Sequence, residues 1–353
     1  MFDTLKFRTA RPLPPVYELK ARGFTKPHDG SGLHWFLNFT YNKVTEIQLD
    51  WHRTLSGNWF FVKLSSLPKF MYGNSIEMVE ADEEVRRGLG DVSALVSDCA
   101  GFDFDARTSD VTVLHACHNW KMTEPEVYAR LHALRSGHLD RTTRRTVDGR
   151  EETGSVYMEN ASEQFIAYAK CAETLLRLRQ GKATDEHLRM SAGVFRIEHR
   201  YLDSESIKRM RKRFELPDQK AATLLRHNIA ERILNQKMQE LGLDKSIDAG
   251  DVRLKRIRDF YGIRSNEYKH LTQFLALADE HGGIDTLVPL GLYSDSIVSK
   301  YRKELHRAGA LLTAPSKTSL PALAPVKFEG EPLGMSNTIQ RSRVFETTTE
   351  WVN

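Results

Sequence analysis

The sequence has few cysteines and no long apolar run. Its 3 cysteines, Cys99, Cys117 and Cys171, share no C-x-x-C spacing, which argues against a disulfide framework and a zinc knuckle and suits a reducing cytosol. No uninterrupted apolar stretch approaches the roughly 20 residues that a membrane span needs, so we expect no membrane partner. The opening residues, 1–8, contain no apolar segment of the kind found in secretory signals.

The net charge is small, but the cations are clustered. The 353 residues carry a formal charge of +4, and Lys and Arg clearly outnumber Asp and Glu over 196–269. A second basic cluster, Arg141, Arg144, Arg145 and Arg150, lies in a Thr- and Gly-rich stretch that is typical of a loop. Such clusters suit a phosphate backbone, because each neutralised phosphate releases counterions. For the basic run 207–213, an ordinary solvated helix face is an equally good interpretation.

Apolar periodicity predicts strands in the first half of the chain and helices in the second. The expected strands are 33–39, 44–49, 59–64, 111–115, 155–158 and 195–200. The expected helices are 80–99, 123–137, 162–179 and a helix-turn-helix-like trio, 271–278, 285–290 and 294–308. This order predicts an α+β fold, in which an antiparallel sheet flanked by helices precedes a mostly helical C-terminal domain. We expect the boundaries to be 1–204 for the sheet domain, 205–312 for the helical domain, and 313–353 for an extended or disordered tail.

Two histidines at the end of a predicted strand are candidate metal ligands. His115 and His118 lie beside Asn119, and neutral imidazoles readily bind divalent metals. Residues three apart on a regular strand point to opposite faces, so both could share one ion only if the strand bends or ends near Cys117.

Tyr168 and Lys170 lie in the stretch that periodicity predicts to be a helix. A tyrosine can attack a DNA phosphate and conserve the bond energy as a phosphotyrosine. Its ordinary pKa near 10 makes it a weak nucleophile at pH 7, so a cation or metal must assist it. A half-buried tyrosine beside a surface lysine is the common alternative for this spacing alone.

Further cations have spacings that suit phosphate binding. Arg196, Glu198 and Arg200 alternate on a predicted strand, and their shared face could clamp a phosphate or form a structural ion-pair ladder. Lys300, Arg302 and Lys303 line the last predicted helix. We count these cations, with those of the 141–145 loop, as candidate DNA contacts.

Taken in order, these segments resemble the replication initiators of filamentous phages, the gene II/gene X family, and their plasmid relatives. The similarity runs from Phe2-Asp3-Thr4-Leu5-Lys6 through Leu67–Asn74 and Val111–Asn119 to a Tyr-x-Lys-x-x-Glu segment at 168–173 and an Arg-x-Glu strand at 196–198. It extends to about residue 312.

The resemblance implies a rolling-circle endonuclease of the His-hydrophobic-His superfamily, whose sheet presents metal ligands to a helix-borne tyrosine. Tyr168 would be the nucleophile, Lys170 would position or neutralise the phosphate, and His115 would bind Mg²⁺ or Mn²⁺. His118 departs from the family pattern because two residues, not one, separate the histidines. Asp50 and His52, at strand spacing, are further candidate ligands.

The implied product is a 5′-phosphotyrosine with a free 3′-OH that primes a host DNA polymerase. The partners would be single-stranded and supercoiled origin DNA in the host cytoplasm, and a host helicase would unwind it, since the sequence has no GxxxxGK[ST] motif. A second tyrosine, Tyr157 or Tyr201, could act in termination. The alternatives are a relaxase or transposase of the same superfamily and a non-catalytic origin- or operator-binding protein that uses the helix-turn-helix-like trio.

Overall fold

The computed structural model describes residues 1–26, 34–55, 57–136, 144–147, 155–246, 250–281, 283–311 and 320–328. It confirms the predicted α+β fold with an antiparallel sheet. No helix within these ranges is both long and apolar enough to cross a membrane.

Nine strands form one sheet in the order β2-β3-β4-β1-β5-β9-β8-β7-β6, and each pair of neighbours is antiparallel. The strands are β1 (Phe2–Ala10), β2 (His34–Tyr41), β3 (Thr45–Thr54), β4 (Gly57–Leu64), β5 (Asp110–Lys121), β6 (Arg144–Val147), β7 (Val156–Glu159), β8 (Glu163–Ala169) and β9 (Val194–Tyr201).

The helices lie mainly between β4 and β5 and after β9. They are α1 (Val16–Ala21), α2 (Leu67–Tyr72), α3 (Asp82–Ala100), α4 (Glu124–Ser136), α5 (Lys170–Arg179), α6 (Asp185–Ser191), α7 (Ser204–Arg213), α8 (Ala221–Leu224), α9 (His227–Leu241), α10 (Gly250–Tyr261), α11 (Asn266–Glu280) and α12 (Asp295–Arg307).

The two faces of the sheet differ in chemistry because side chains alternate along each strand. One face is apolar and packs against α3, α4, α7 and α9 in a continuous core. The opposite face, which we call the polar face, carries charged and aromatic side chains. On adjacent strands, Asp50 is opposite Phe61 and Phe61 is opposite Arg8, so the alternation is in register from strand to strand.

The structure corrects the predicted helix 162–179. Its first part is strand β8, and the helix begins only at Lys170. Tyr168 is therefore borne by a strand and not by a helix. β8 pairs along its whole length with β9 and is buried on both faces over 165–169, so its apolar residues do not alternate with polar ones.

The described residues form two large apolar cores and one small cluster, Ala129, Ala133 and Leu320. The first includes the sheet and continues through α7 and α9 to Leu243, whereas the second spans Ile257 to Leu311. The break in packing therefore falls after α9, later in the chain than the expected boundary at residue 205. Part of the expected tail is also packed, since Leu323 and Phe328 return to the first core.

Candidate functional site

Tyr168 is held at the end of β8, directly opposite Arg196 on β9. Its hydroxyl donates a hydrogen bond to Glu198 Oε1 over 2.7 Å. The side chain is buried, with 8 % of its surface exposed. The polar-face position follows from the alternation of β8, in which Tyr168 and Ile166 point away from the apolar core.

Arg196 ties three segments of the chain together beneath Tyr168. Its guanidinium donates to Glu198 Oε1 at 2.9 Å, to Asp3 Oδ2 at 3.0 Å and to the Ser75 carbonyl at 2.9 Å. Arg200 donates to the other oxygen of Glu198. Asp3 comes from the first strand, and Ser75 comes from the connection between α2 and α3, so the predicted Arg-x-Glu strand is the centre of a network that joins distant segments.

Lys170 completes this cluster from the first position of α5. Its Nζ donates to Ser75 Oγ at 3.0 Å and pairs with Glu173, and it lies 5.7 Å from the centre of the Tyr168 ring. Glu173 also binds Arg177. Sequence reasoning gave no role to Asp3, and it named Glu173 only as part of the Tyr-x-Lys-x-x-Glu motif.

The cluster holds more positive than negative charge. We call it the Tyr168 cluster, and its charged members are Lys69, Lys170, Arg177, Arg196 and Arg200 against Asp3, Glu173 and Glu198. Burial, reinforced by the nearby Arg177 cation, lowers the pKa of Lys69 to about 8. A buried cation is stabilised by an opposite charge, so the cluster has the electrostatic character of an anion-binding site.

The phenol and its acceptor have opposite pKa shifts. Burial raises the pKa of Tyr168 well above 10. Burial alone would also raise the pKa of Glu198, but the Arg196 and Arg200 guanidiniums outweigh it and hold that pKa well below its usual range. The hydroxyl therefore remains protonated at neutral pH, with an ionised carboxylate in position to accept its proton.

The structure does not bring His115 and His118 together, which corrects their assignment as a metal-binding pair. β5 pairs with β9 without a bulge over 114–121, so the two side chains lie on opposite faces. His115 faces the polar side, where burial and Arg200 lower its pKa to about 4. The His118 ring packs against Trp120 and Phe328 in the apolar core.

A different set of side chains could hold a metal ion. Ligand atoms of His34, Asp50 and His52 lie within 4.8 Å of one another on the polar face of β2 and β3. The His34 and His52 rings are stacked with centroids 4.1 Å apart, and His34 Nε2 lies 3.5 Å from Asp50 Oδ1. Gln48 Nε2 donates to the same carboxylate oxygen and orients it. We call this group the His34 cluster.

The donor set of the His34 cluster fits a divalent ion. His34 Nε2 is buried and has no hydrogen-bond acceptor among the described residues, and two imidazoles with one carboxylate suit Mn²⁺ or another transition ion better than Mg²⁺. Asp50-Trp51-His52 also has the one-residue spacing that His115 and His118 lack. Sequence reasoning found Asp50 and His52 but missed His34, which reaches them only through strand pairing.

The His34 cluster and the Tyr168 cluster lie on the same face but not at the same place. Five steps between neighbouring strands separate β3 from β8, which corresponds to roughly 24 Å at the usual strand spacing. One ion cannot contact both sets of side chains in this arrangement, so the cations around Tyr168 are the groups available to a phosphate bound there.

The remaining candidate DNA contacts differ in how accessible they are. Arg196 has no exposed surface, so its assignment as a direct DNA contact is corrected; the connection at Ser75 and Met78 covers it. Arg200 retains 28 % side-chain exposure.

The loop and C-terminal cations complete this set. Lys300 and Lys303 are exposed on α12, whereas Arg302 pairs with Asp285. Arg141 lies outside the described residues, as do the side chains of Arg144 and Arg145, whose backbone forms part of β6.

Comparisons with protein-family models, with curated proteins and with solved structures gave no match for this chain.

Proposed function

We propose that the chain is a rolling-circle replication initiator that nicks and rejoins single-stranded DNA through Tyr168. The observation that carries the proposal is the convergence of Tyr168, Lys170, Arg196 and Glu198 in one cation-rich cluster. These residues come from two motifs that lie far apart in the sequence. Even a paired buried charge costs desolvation that apolar packing would avoid, so a stable sheet alone would not require this concentration of buried cations around one tyrosine.

The excess positive charge suits one more anion at the Tyr168 cluster. A DNA phosphodiester is such an anion, and arginine binds phosphate through charge-assisted, often bidentate hydrogen bonds. Arg200 and Arg177 keep 28 % and 36 % of their side-chain surface exposed. They are the members of the cluster that a phosphate would meet first, with Tyr168 and Lys170 behind them.

In the proposed step, the Tyr168 oxygen attacks phosphorus and the bond from phosphorus to the 3′-oxygen breaks. The phenol proton passes to Glu198, 2.7 Å away, and the departing 3′-oxygen takes a proton from solvent. A bound phosphate would share Arg200 with Glu198, which weakens the hold on the carboxylate and makes it a better proton acceptor. The reverse attack by a 3′-OH rejoins the strand and returns the proton.

His34, Asp50 and His52 would hold the Mg²⁺ or Mn²⁺ that the family resemblance implies. The bound ion would supply positive charge and Lewis acidity to a phosphate of the DNA strand. Because the His34 cluster lies far from Tyr168, the side chains of the Tyr168 cluster must themselves orient and neutralise the phosphate that Tyr168 attacks. The proposed partners are single-stranded and supercoiled origin DNA, with a host helicase and DNA polymerase in the host cytoplasm.

The proposal is tested with the purified protein, Mn²⁺ and a labelled single-stranded oligonucleotide that spans the element's own intergenic region. We expect a covalent protein–DNA adduct on a denaturing gel that is lost in Tyr168→Phe and reduced on chelation, because the ion would hold another phosphate of the same strand. Tyr157→Phe is the matched control, because Tyr157 lies on the polar face of β7, one strand further from Arg196 than Tyr168. Nicking by Tyr168→Phe at the parental rate would refute the assignment.

The rival proposal is a non-catalytic DNA-binding protein. The burial of Tyr168 and the distance of the His34 cluster favour it, since the ion-pair network could then be purely structural. It predicts tight, metal-independent binding to duplex through α12 and no covalent adduct, even on supercoiled origin DNA.

A further inference from the structure

Aromatic side chains line the polar face on both sides of β3, and those on β4 lie between the two clusters. Phe36, Trp59 and Phe61 lie on β2 and β4, next to the His34 cluster, and each is only half-buried. By contrast, the apolar face buries Trp35 and Trp51 to 2 % and 1 % exposure. Half-exposed rings on a sheet face leave π-surface that is accessible to another planar group.

Cations lie among these rings. Lys6 Nζ is 4.8 Å from the centre of the Phe61 ring, and the Arg8 guanidinium is 4.5 Å from that of Trp59. Lys63 is exposed and lies opposite Lys6 on the neighbouring strand. Because rings alternate with long basic side chains, this surface can bind flat apolar groups and anions at the same time.

We propose that Phe36, Trp59 and Phe61, with Lys6, Arg8 and Lys63, form a stacking surface for the bases of single-stranded DNA. Aromatic rings bind bases that have left the duplex, because pairing and stacking in a duplex hide the base faces. The interleaved cations complement the phosphates of the same strand. Arg8 already pairs with Asp110, but an apolar peptide would satisfy the rings and give no anionic partner to Lys6 and Lys63.

The position of the stacking surface supports a continuous path for the strand. β4 and β1 lie between β3, which bears part of the His34 cluster, and the strands of the Tyr168 cluster. A DNA strand that crosses the sheet would therefore meet Phe36 and the candidate metal ligands, then Trp59 and Phe61, and then the nucleophile. This inference rests on the proposed function only in naming DNA as the nucleic acid, since base stacking requires no nicking.

The test measures binding with cleavage removed. In a Tyr168→Phe background with EDTA present, the affinity for a fluorescent oligo(dT) is measured by anisotropy for Phe61→Ala, Phe61→Leu and Phe61→Tyr. Loss of one stacked base weakens binding by about 5- to 150-fold, so we expect this loss for Ala and for Leu, which keeps the apolar volume. Phe61→Tyr keeps the ring and is expected to bind like its parent.

Tyr17→Ala is the matched control, because Tyr17 is a 71 % exposed aromatic residue on α1, outside the proposed surface. Unchanged affinity in both Phe61→Ala and Trp59→Ala would overturn the stacking surface, as would equal affinity for a duplex of the same length. If the nicking assay fails but Phe61→Ala and Phe61→Leu lose affinity for oligo(dT), the stacking surface is supported and only the nicking proposal is refuted. Intact nicking with unchanged affinities would overturn the stacking surface alone.

Discussion

Tyr168 is surrounded by groups that set its protonation state. Its hydroxyl is already hydrogen-bonded to Glu198, yet burial keeps the proton on the phenol. Arg196 and Arg200 keep Glu198 ionised. In the proposed reaction, an incoming phosphate would share Arg200 with Glu198 and so make Glu198 a better proton acceptor.

Glu173 links this network to the stability of the protein at low pH. Burial would raise its pKa, but Lys170 and Arg177 outweigh burial and lower the pKa from 4.5 to about 2. The unfolded chain therefore binds more protons below pH 4.5, and the stabilisation by Glu173 is lost as the pH falls from 4.5 toward 2.

We expect Glu173→Gln to lose on the order of 2 kcal/mol of stability at pH 6 relative to the parent. The difference should shrink at pH 3, as measured by urea unfolding at both pH values. A difference that stays constant or grows toward pH 3 would contradict the role of Glu173 as an ionised partner of Lys170.

The three side chains of the His34 cluster are the proposed ligands of the divalent ion. His52→Ala is expected to weaken Mn²⁺ binding at least about tenfold, since even the outer partners of metal ligands have effects of that size. Titration calorimetry or the electron paramagnetic resonance of free Mn²⁺ would measure it. His270→Ala, at an exposed position on α11, is the control. Equal Mn²⁺ affinity in both variants would exclude the His34 cluster as the ion's site.

At the scale of the elements, strands and helices with a regular apolar periodicity were predicted most accurately from the sequence. The predicted strands at 33–39, 44–49 and 59–64 correspond to β2, β3 and β4, and the helix at 80–99 corresponds to α3. Ser294 caps α12 and accepts a hydrogen bond from the Ile297 backbone N–H. The predicted helix 285–290 is only a short 3₁₀ turn, Ile284–Thr286.

The β8–α5 junction is the element that periodicity could not resolve. A short apolar run that is buried on both sides fits a strand or a helix equally well, and pairing with β9 decides between them. Sequence motifs named Tyr168, Lys170, Arg196 and Glu198, but their meeting depends on this pairing. The same limit hid His34, whose contact with Asp50 and His52 is made across two strands.

Exposed lysines on α12 are candidate contacts to the DNA backbone. Lys300→Ala and Lys303→Ala should each weaken binding to duplex DNA by a similar factor for all sequences. Each should also reduce the slope of log affinity against log salt concentration by about 1. Lys182→Ala, at an exposed site after α5, is the control. If all three variants match the parent in a salt titration, α12 does not contact the DNA backbone.

At the scale of the molecule, the chain leaves the first core after Leu243 and returns to it at Leu323. The Trp120 indole donates to the Ala324 carbonyl, and the Phe328 ring packs against His118. The sequence of 313–353, rich in Pro, Ser and Thr, gave no sign of this return, because only a few separated apolar residues make the contact.

Phe328→Ala tests whether this return stabilises the sheet. The ring is 5 % exposed, and we expect its loss to cost about 3–5 kcal/mol, the usual range for a buried phenylalanine. Leu290→Ala, at a 55 % exposed apolar position, is the control for chemical denaturation. A cost below about 1 kcal/mol, which is typical of surface changes, would show that the segment adds little to the first core.

The central claim is that Tyr168 becomes covalently bound to DNA, and mapping the adduct tests it most directly. The protein is incubated with Mn²⁺ and the single-stranded origin oligonucleotide, digested with nuclease and protease, and analysed by tandem mass spectrometry. We predict a nucleotide on the phenolic oxygen of Tyr168. A nucleotide on Tyr157 or on another residue, or nicked DNA with no modified peptide, would contradict the account.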